Sequence, residues 1–171
     1  MNMDYIITDY ITGKPVRNVG PEASRQIFEK FLVEEKGYDK NDIRVDEPLT
    51  VLFKGEDYES AIDLVVWCDN RPVMAVTCVA GSIGSYEREI LAGARLVHEV
   101  QIPFAVSTDA RDAVIMDTLT GNTVGKGLDQ VPSKAEIEEK MADLSFPPFD
   151  ENKKEREMII YRSFNLEKVN I

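Results

Sequence analysis

The stretch from Ser60 to Val79 constrains the fold of this chain more than any other. Ala61-Ile62-Asp63-Leu64-Val65-Val66-Trp67 and Val73-Met74-Ala75-Val76-Thr77-Cys78-Val79 are two apolar runs of strand length. Between them, Cys68-Asp69-Asn70-Arg71-Pro72 has the composition of a tight turn. The pattern predicts a hairpin of two apolar strands. Asp63 breaks the first run. A carboxylate among apolar neighbours is costly unless it is paired or binds a cation. Asp63 is therefore either one half of a structural pair or part of a site.

The flanking sequence supplies helices to cover such a sheet. Residues 1–20 read as an irregular arm broken by Gly13, Pro15 and Gly20. From Pro21 to Lys36, Ala23, Ile27, Phe28, Phe31, Leu32 and Val33 form an apolar stripe at helical spacing, which Gly37 ends. Two extended runs follow, Ile43–Val45 and Leu49–Phe53, and a polar Lys54-Gly55-Glu56-Asp57 turn. After the hairpin, Ser85 reads as the cap of a helix from Tyr86 to Val100. Pro103–Thr108 and Ala113–Asp117 read as strands, and Thr120-Gly121-Asn122 as a turn. Ser133–Leu144 and Glu151–Phe164 read as charged amphipathic helices on either side of Pro147-Pro148. The class is α/β, a mixed α+β sheet with helices packed against it. The organisation is an arm (1–20), a core domain (21–130) and a C-terminal helical extension (131–171). That extension is either a cap on the core or an arm for a homodimer.

Bulk properties narrow the function classes. The 171 residues, 43% of them hydrophobic, suffice for one core without disulfides or metals. Cys68 and Cys78 lack metal-ligand spacing and read as reduced thiols. No run approaches the ~18 apolar residues of a membrane span, and Met1–Tyr5 has no signal-peptide character, so the expectation is a cytoplasmic protein without membrane contact. The net charge of -11 argues against tight non-specific binding of nucleic acid, which depends on Lys and Arg neutralising phosphates. Arg88, Arg95 and Arg111 are candidates for a local basic patch. With Glu87, Glu89, Glu99, Asp109 and Asp112 nearby, they read instead as a mixed solvated surface.

Other signals carry little chemistry. Gly81-Ser82-Ile83-Gly84-Ser85 leads into a helix but lacks the Gly-Lys-Ser/Thr ending of a P-loop, so it reads as a strand-to-helix turn. His98 is the one histidine in the chain, which rules out a multi-histidine zinc site and leaves no second histidine for a triad. Cys78, set in a strand without an evident base, reads as a buried structural thiol. Trp67 reads as a core or rim residue, and Asp109, Arg111 and Asp112 as a solvated turn.

The order helix, three strands, helix, strand, with an Asp inside the hairpin, resembles the PD-(D/E)XK nuclease fold. The resemblance is closest to the N-terminal nuclease-like domain of type I restriction enzyme R subunits, in the form of a short stand-alone relative. It covers roughly Asp9 to Gly125. It is carried by Asp9-Tyr10-Ile11-Thr12-Gly13-Lys14-Pro15-Val16, Pro21–Gln26 with Phe31–Tyr38, Ala61–Val66, Arg88–Leu96 and Pro103–Asp109.

In that family a helix Glu would fall on Glu22, the first metal-binding Asp on Asp63, and an acid-x-Lys on Thr77-Cys78-Val79. The last two positions do not match, which implies a degenerate metal site in which Asp63 and Glu22 hold a cation only weakly. Phosphodiester hydrolysis there needs Mg²⁺ or Mn²⁺ with hard oxygen ligands. Glu87 or Glu89 is the candidate replacement acid, and Arg88 or Lys54 the candidate replacement cation. Alternatively, the glutamates simply favour the positive end of a helix. Three functions stand: a pseudo-nuclease that binds DNA or a restriction or DNA-processing partner, a metal-dependent DNA endonuclease with a remodelled site, and a protein-interaction or oligomerisation module.

Overall fold

The computed structural model describes residues 5–169. The arm, expected to be irregular, contains an antiparallel pair, β1 (Ile6–Thr8) and β2 (Pro15–Arg17). Helix α1 (Glu22–Glu34) follows, with Pro21 at its start. The next three strands are β3 (Ile43–Phe53), β4 (Glu56–Cys68) and β5 (Arg71–Cys78). Helix α2 (Glu87–Leu96) leads to β6 (Phe104–Thr108), β7 (Ala113–Asp117) and β8 (Thr123–Lys126). Two helices close the chain, α3 (Lys134–Lys140) and the long α4 (Glu151–Val169).

Strands β3 to β8 form one six-stranded sheet in sequence order. All neighbours are antiparallel except β5 and β6, which α2 joins by a crossover. Both tight hairpins use residues with positive φ, Lys54-Gly55 and Asp69-Asn70, the geometry that matches strand twist. Strand β5 is buried along nearly its whole length, which explains its continuous apolar run.

Helices cover both faces. On one side Phe28 and Leu32 of α1 and Ile137 of α3 pack with Leu64, Val66, Val76 and Ile115. On the other, Ile90, Leu91 and Ala94 of α2 and Tyr161 of α4 pack with Ile62, Val65, Ala75 and Ala105. At Gly93 the two helices and the sheet come so close that a Cβ would lie 2.7 Å from Ile62 Cδ1.

The alternation of side chains changes at one place. On β3, Ile43 and Val45 pack on the α1/α3 side, whereas Leu49 and Val51, of the same parity, pack on the α2/α4 side. On β4, Leu64 and Ile62 divide in the same way. The switch falls at Asp46, where φ is 56°, and at Asp63, which lies opposite it between the paired residues Val45↔Leu64 and Glu47↔Ile62. The register is the same on either side of this point, but Asp46 and Asp63 are not themselves paired, and the local departure at Asp46 takes the two residues out of the regular pleat.

Several sequence expectations are corrected here. The two runs at Ile43–Val45 and Leu49–Phe53 are one strand, because β3 is an edge strand and tolerates Pro48. Helix α2 stops at Leu96, not Val100. Ile102 N donates to Ala94 O as the chain turns back ahead of Pro103. The α2 cap position is Tyr86 rather than Ser85, which lies in a 3-10 turn over Ile83–Tyr86. The C-terminal helix α4 packs on α2 and β3. Cys68 and Cys78 are free and buried. No helix among the described residues is long and apolar enough to cross a membrane.

Candidate functional site

Asp63 and Thr77 face each other across the β4–β5 hairpin, with Thr77 Oγ1 3.4 Å from Asp63 Oδ2. Cys78 N donates to the same carboxylate oxygen at 2.8 Å, which fixes its direction. Glu89 comes down from the first turn of α2, 2% exposed, with Oε1 3.3 Å from Thr77 Oγ1. The fourth member is Lys168, near the far end of α4. Its Nζ lies 2.6 Å from Thr77 Oγ1, 3.2 Å from Asp63 Oδ2 and 3.5 Å from Glu89 Oε1.

These groups shift one another. Burial pushes the Glu89 carboxyl up, and Lys168 opposes the shift. Burial would depress the Lys168 ammonium, but Asp63 and Glu89 more than offset it and raise its pKa. Buried groups with strongly perturbed protonation cluster at functional sites more than elsewhere. Cys78, fully enclosed, has its thiol pushed well up by burial and is not a nucleophile at neutral pH.

The inner face of α4 holds the cluster in place. Glu157, Tyr161, Asn165 and Lys168 recur at helical spacing along one stripe. Tyr161 OH meets Ser60 Oγ at 2.8 Å. Asn165 Nδ2 donates to Glu89 Oε2 at 3.1 Å, and Asn165 Oδ1 accepts from Tyr58 OH at 2.6 Å. Glu89 is thus aimed by Asn165, which Tyr58 in turn holds.

A cavity of about 220 Å³ opens beside Asp63 and is lined also by Pro21, Glu22, Arg25, Asp46 and Cys78. Glu22 shares this cavity but spends Oε1 on Arg25 at 2.7 Å and on Gln26 at 2.8 Å. Arg25 also binds Asp46 at 2.7 Å. Lys168 also lines a larger cavity of about 430 Å³, together with Pro21, Val79, Ser82 and Tyr86. Val79 is 2% exposed and offers only its isopropyl group.

The geometry sorts the sequence candidates. Asp63, Thr77 and Glu89 come together, and Glu22 lies across the cavity. Glu87 is not in the cluster; its carboxylate lies against Gly84. Arg88 turns away to Glu157. Lys54 sits over the Phe53 ring at the β3–β4 turn. Trp67 packs edge-on against His98 under Arg44, and Asp109 caps its own turn through Arg111 N and Asp112 N.

A family model for the type I restriction enzyme R protein N terminus matches residues 20–132, which include Asp63, Thr77 and Glu89. The chain belongs to this family. Comparison with curated proteins and with solved structures gives no match. The family match ends before α4, so the lysine that completes the cluster comes from outside the matched segment.

Sequence reasoning missed Lys168. A weak signal was present: Glu157, Tyr161, Asn165 and Lys168 place polar groups on one face of a helix whose opposite face is also polar.

A divalent cation, which the nuclease resemblance implies, can be tested against these donors. Among the described residues no group of three or more His, Cys, Asp or Glu side chains is placed to hold a metal. Mg²⁺, however, commonly takes one or two carboxylates and completes its shell with water. Asp63 and Glu89, with the Thr77 hydroxyl between them, are a hard-oxygen set of that kind. The fit requires the Lys168 ammonium to move aside from its place between the two carboxylates.

Proposed function

We propose that this chain is a metal-dependent nuclease domain whose acid and lysine have been relocated. Glu89 from α2 takes the place of the acid that Thr77 lacks, and Lys168 from α4 takes the place of the lysine that Val79 lacks. The observation that carries the reading is the position of Lys168 Nζ, within 3.5 Å of Thr77, Asp63 and Glu89 together. Burying an ammonium and two carboxylates is costly in desolvation. Apolar side chains at these positions would fill the same space at lower cost, so an assembly from three separate elements points to a use for it.

Asp63 and Glu89 would hold the ion, and the ion when bound would stabilise charge developing on a phosphodiester and lower the pKa of a bound water. The residues of the chain do the positioning. Cys78 N fixes Asp63, and Asn165 aims Glu89. Lys168, moved aside from between the two carboxylates when the ion binds, would present its positive charge to an incoming phosphate oxygen. DNA is the substrate class that membership of a restriction-enzyme family suggests.

A second reading has one observation in its favour. An ammonium already lodged between two carboxylates neutralises them without a metal, as a binding domain that does not cut would need. Cleavage of supercoiled and linear DNA with Mg²⁺ or Mn²⁺ separates the two. Activity lost in Asp63→Asn, Glu89→Gln and Lys168→Met alike supports relocation. No cleavage by the wild type under any of these conditions would leave the binding reading standing, and cleavage indifferent to Lys168→Met would end the role assigned to that lysine.

A further inference from the structure

At the other end of α4 lies a pocket that the cluster around Asp63 does not use. It is about 350 Å³ in volume and is walled by Arg88 and Arg95 from α2, Lys153 and Arg156 from the start of α4, and the apolar side chains of Leu119 and Phe149. Glu157 lies at its base, 3% exposed. One acid against four cations leaves a formal surplus of three positive charges (4 - 1 = 3), in a chain whose net charge is -11.

The pocket is built rather than incidental. Glu157 Oε2 accepts from Arg95 Nη1 at 2.8 Å, and its Oε1 accepts from Arg88. Arg95 Nε donates to Thr118 O at 3.0 Å, so both guanidinium groups are held in place. Arg88 Nη1 is shielded by protein and has no hydrogen-bond partner among the described residues. Lys153 and Arg156 are exposed and, among the described residues, have no acidic partner. The acids beside Arg88 in sequence do not neutralise the pocket, because Glu89 points to Lys168 and Glu87 lies against Gly84. Glu99 and Glu151 share an adjoining hollow with Arg95 and do not line this pocket.

Convergent cations repel one another, and the field they focus draws anions. Arginines fixed in a fork match the tetrahedral oxygens of a phosphate, to which they give charge-assisted bonds. We propose that the pocket between α2 and the start of α4 is a phosphate-binding site. Arg88 and Arg95 form its fixed base, and Lys153 and Arg156 its exposed rim. The shared chemistry is a phosphate oxygen, which a free phosphate and a nucleic-acid backbone both offer. The nuclease reading bears only on the choice between those sources, and the site itself does not depend on it.

The test uses the full chain without divalent metal, so that binding is read apart from cleavage. Pyrophosphate is titrated by calorimetry, and a labelled DNA oligonucleotide by fluorescence anisotropy at several salt concentrations. Both are repeated with Lys153→Glu/Arg156→Glu, whose exposed side chains can change without disturbing the core, and with Lys54→Glu, an exposed lysine at the β3–β4 turn outside both sites. The expectation is binding by the wild type that the double variant loses and Lys54→Glu retains. If the strand is the ligand, the slope of log affinity against log salt should fall by about 2 in the double variant. Pyrophosphate binding without oligonucleotide binding identifies a small-anion site; binding of both identifies the backbone. No binding of either ligand, or binding that the double variant leaves unchanged, overturns the proposal.

Discussion

Replacing Glu29 with Gln should stabilise the protein by an amount that grows with pH. Glu29 sits on α1 with its side chain fully buried, beside Asp9 from the arm, and accepts a hydrogen bond from Ile11 N at 3.1 Å. Burial first, and Asp9 second, push its carboxyl from 4.5 up to about 9. Asp9, despite its own burial, is held down at about 2 by hydrogen bonds from Glu29, Thr12 and Gln26. At neutral pH the pair is therefore a protonated Glu29 next to an ionised Asp9.

Between pH 4.5 and 9 the folded chain keeps a proton on Glu29 that the unfolded chain has released. Stability falls as pH rises through this window, by about 1.4 kcal/mol per pH unit. The loss accumulated at pH 7 is about 3 kcal/mol, and it is absent below pH 4.5. A glutamine amide has the shape of the protonated acid and still offers a donor to Asp9, yet has no proton to lose. Urea unfolding of wild type and Glu29→Gln at pH 5, 6, 7 and 8 checks this. The gap between the two should widen by about 1.4 kcal/mol per unit, reaching about 3 kcal/mol at pH 7. A gap that is constant over pH 5–8, or a variant less stable than the wild type at pH 8, would refute the assignment of the proton to Glu29.

Other perturbations test separate parts of the fold. Gly93→Ala should destabilise by about 1 kcal/mol, as overpacking against Ile62 outweighs the better helix propensity; the urea midpoint should fall with the m-value unchanged. Tyr38→Phe removes the buried bond from Tyr38 OH to Pro132 O and should cost about 1 kcal/mol in the same assay. Glu157→Ala leaves Arg95 and Arg88 without their shared acceptor and should cost about 3 kcal/mol in chemical denaturation. Lys168→Met removes the cation opposing the burial of Glu89, so the Glu89 carboxyl should titrate at higher pH in an NMR titration than it does in the wild type.

Where the sequence was legible, apolar periodicity decided the element. The hairpin around Asp63, helix α1 and strands β6 and β7 are of this kind, because each buries an unbroken face. It misled where a local breaker was tolerated by position. Asp46 and Pro48 interrupt a pattern, yet β3 runs through both, since an edge strand can spare a donor and Asp46 can take a positive φ. Strand β8 passed unnoticed because, as a largely exposed edge, it has no apolar face to show. Val97, His98 and Val100 extend the helical spacing of α2 but belong to the turn after it. Asp63 stood out as a charge in an apolar run. Lys168 could not stand out in the same way, because a polar residue on a polar helix is marked only by what it meets after folding.

That meeting has a consequence for timing. Asp63 and Lys168 are separated by 105 positions, so their contact closes a long loop. At synthesis rates of about 5–20 residues per second, the carboxylates wait on the order of 5–20 s for their lysine. A nascent chain can have its sheet in place and still lack the ammonium. Any chemistry that depends on the complete cluster is withheld until α4 docks.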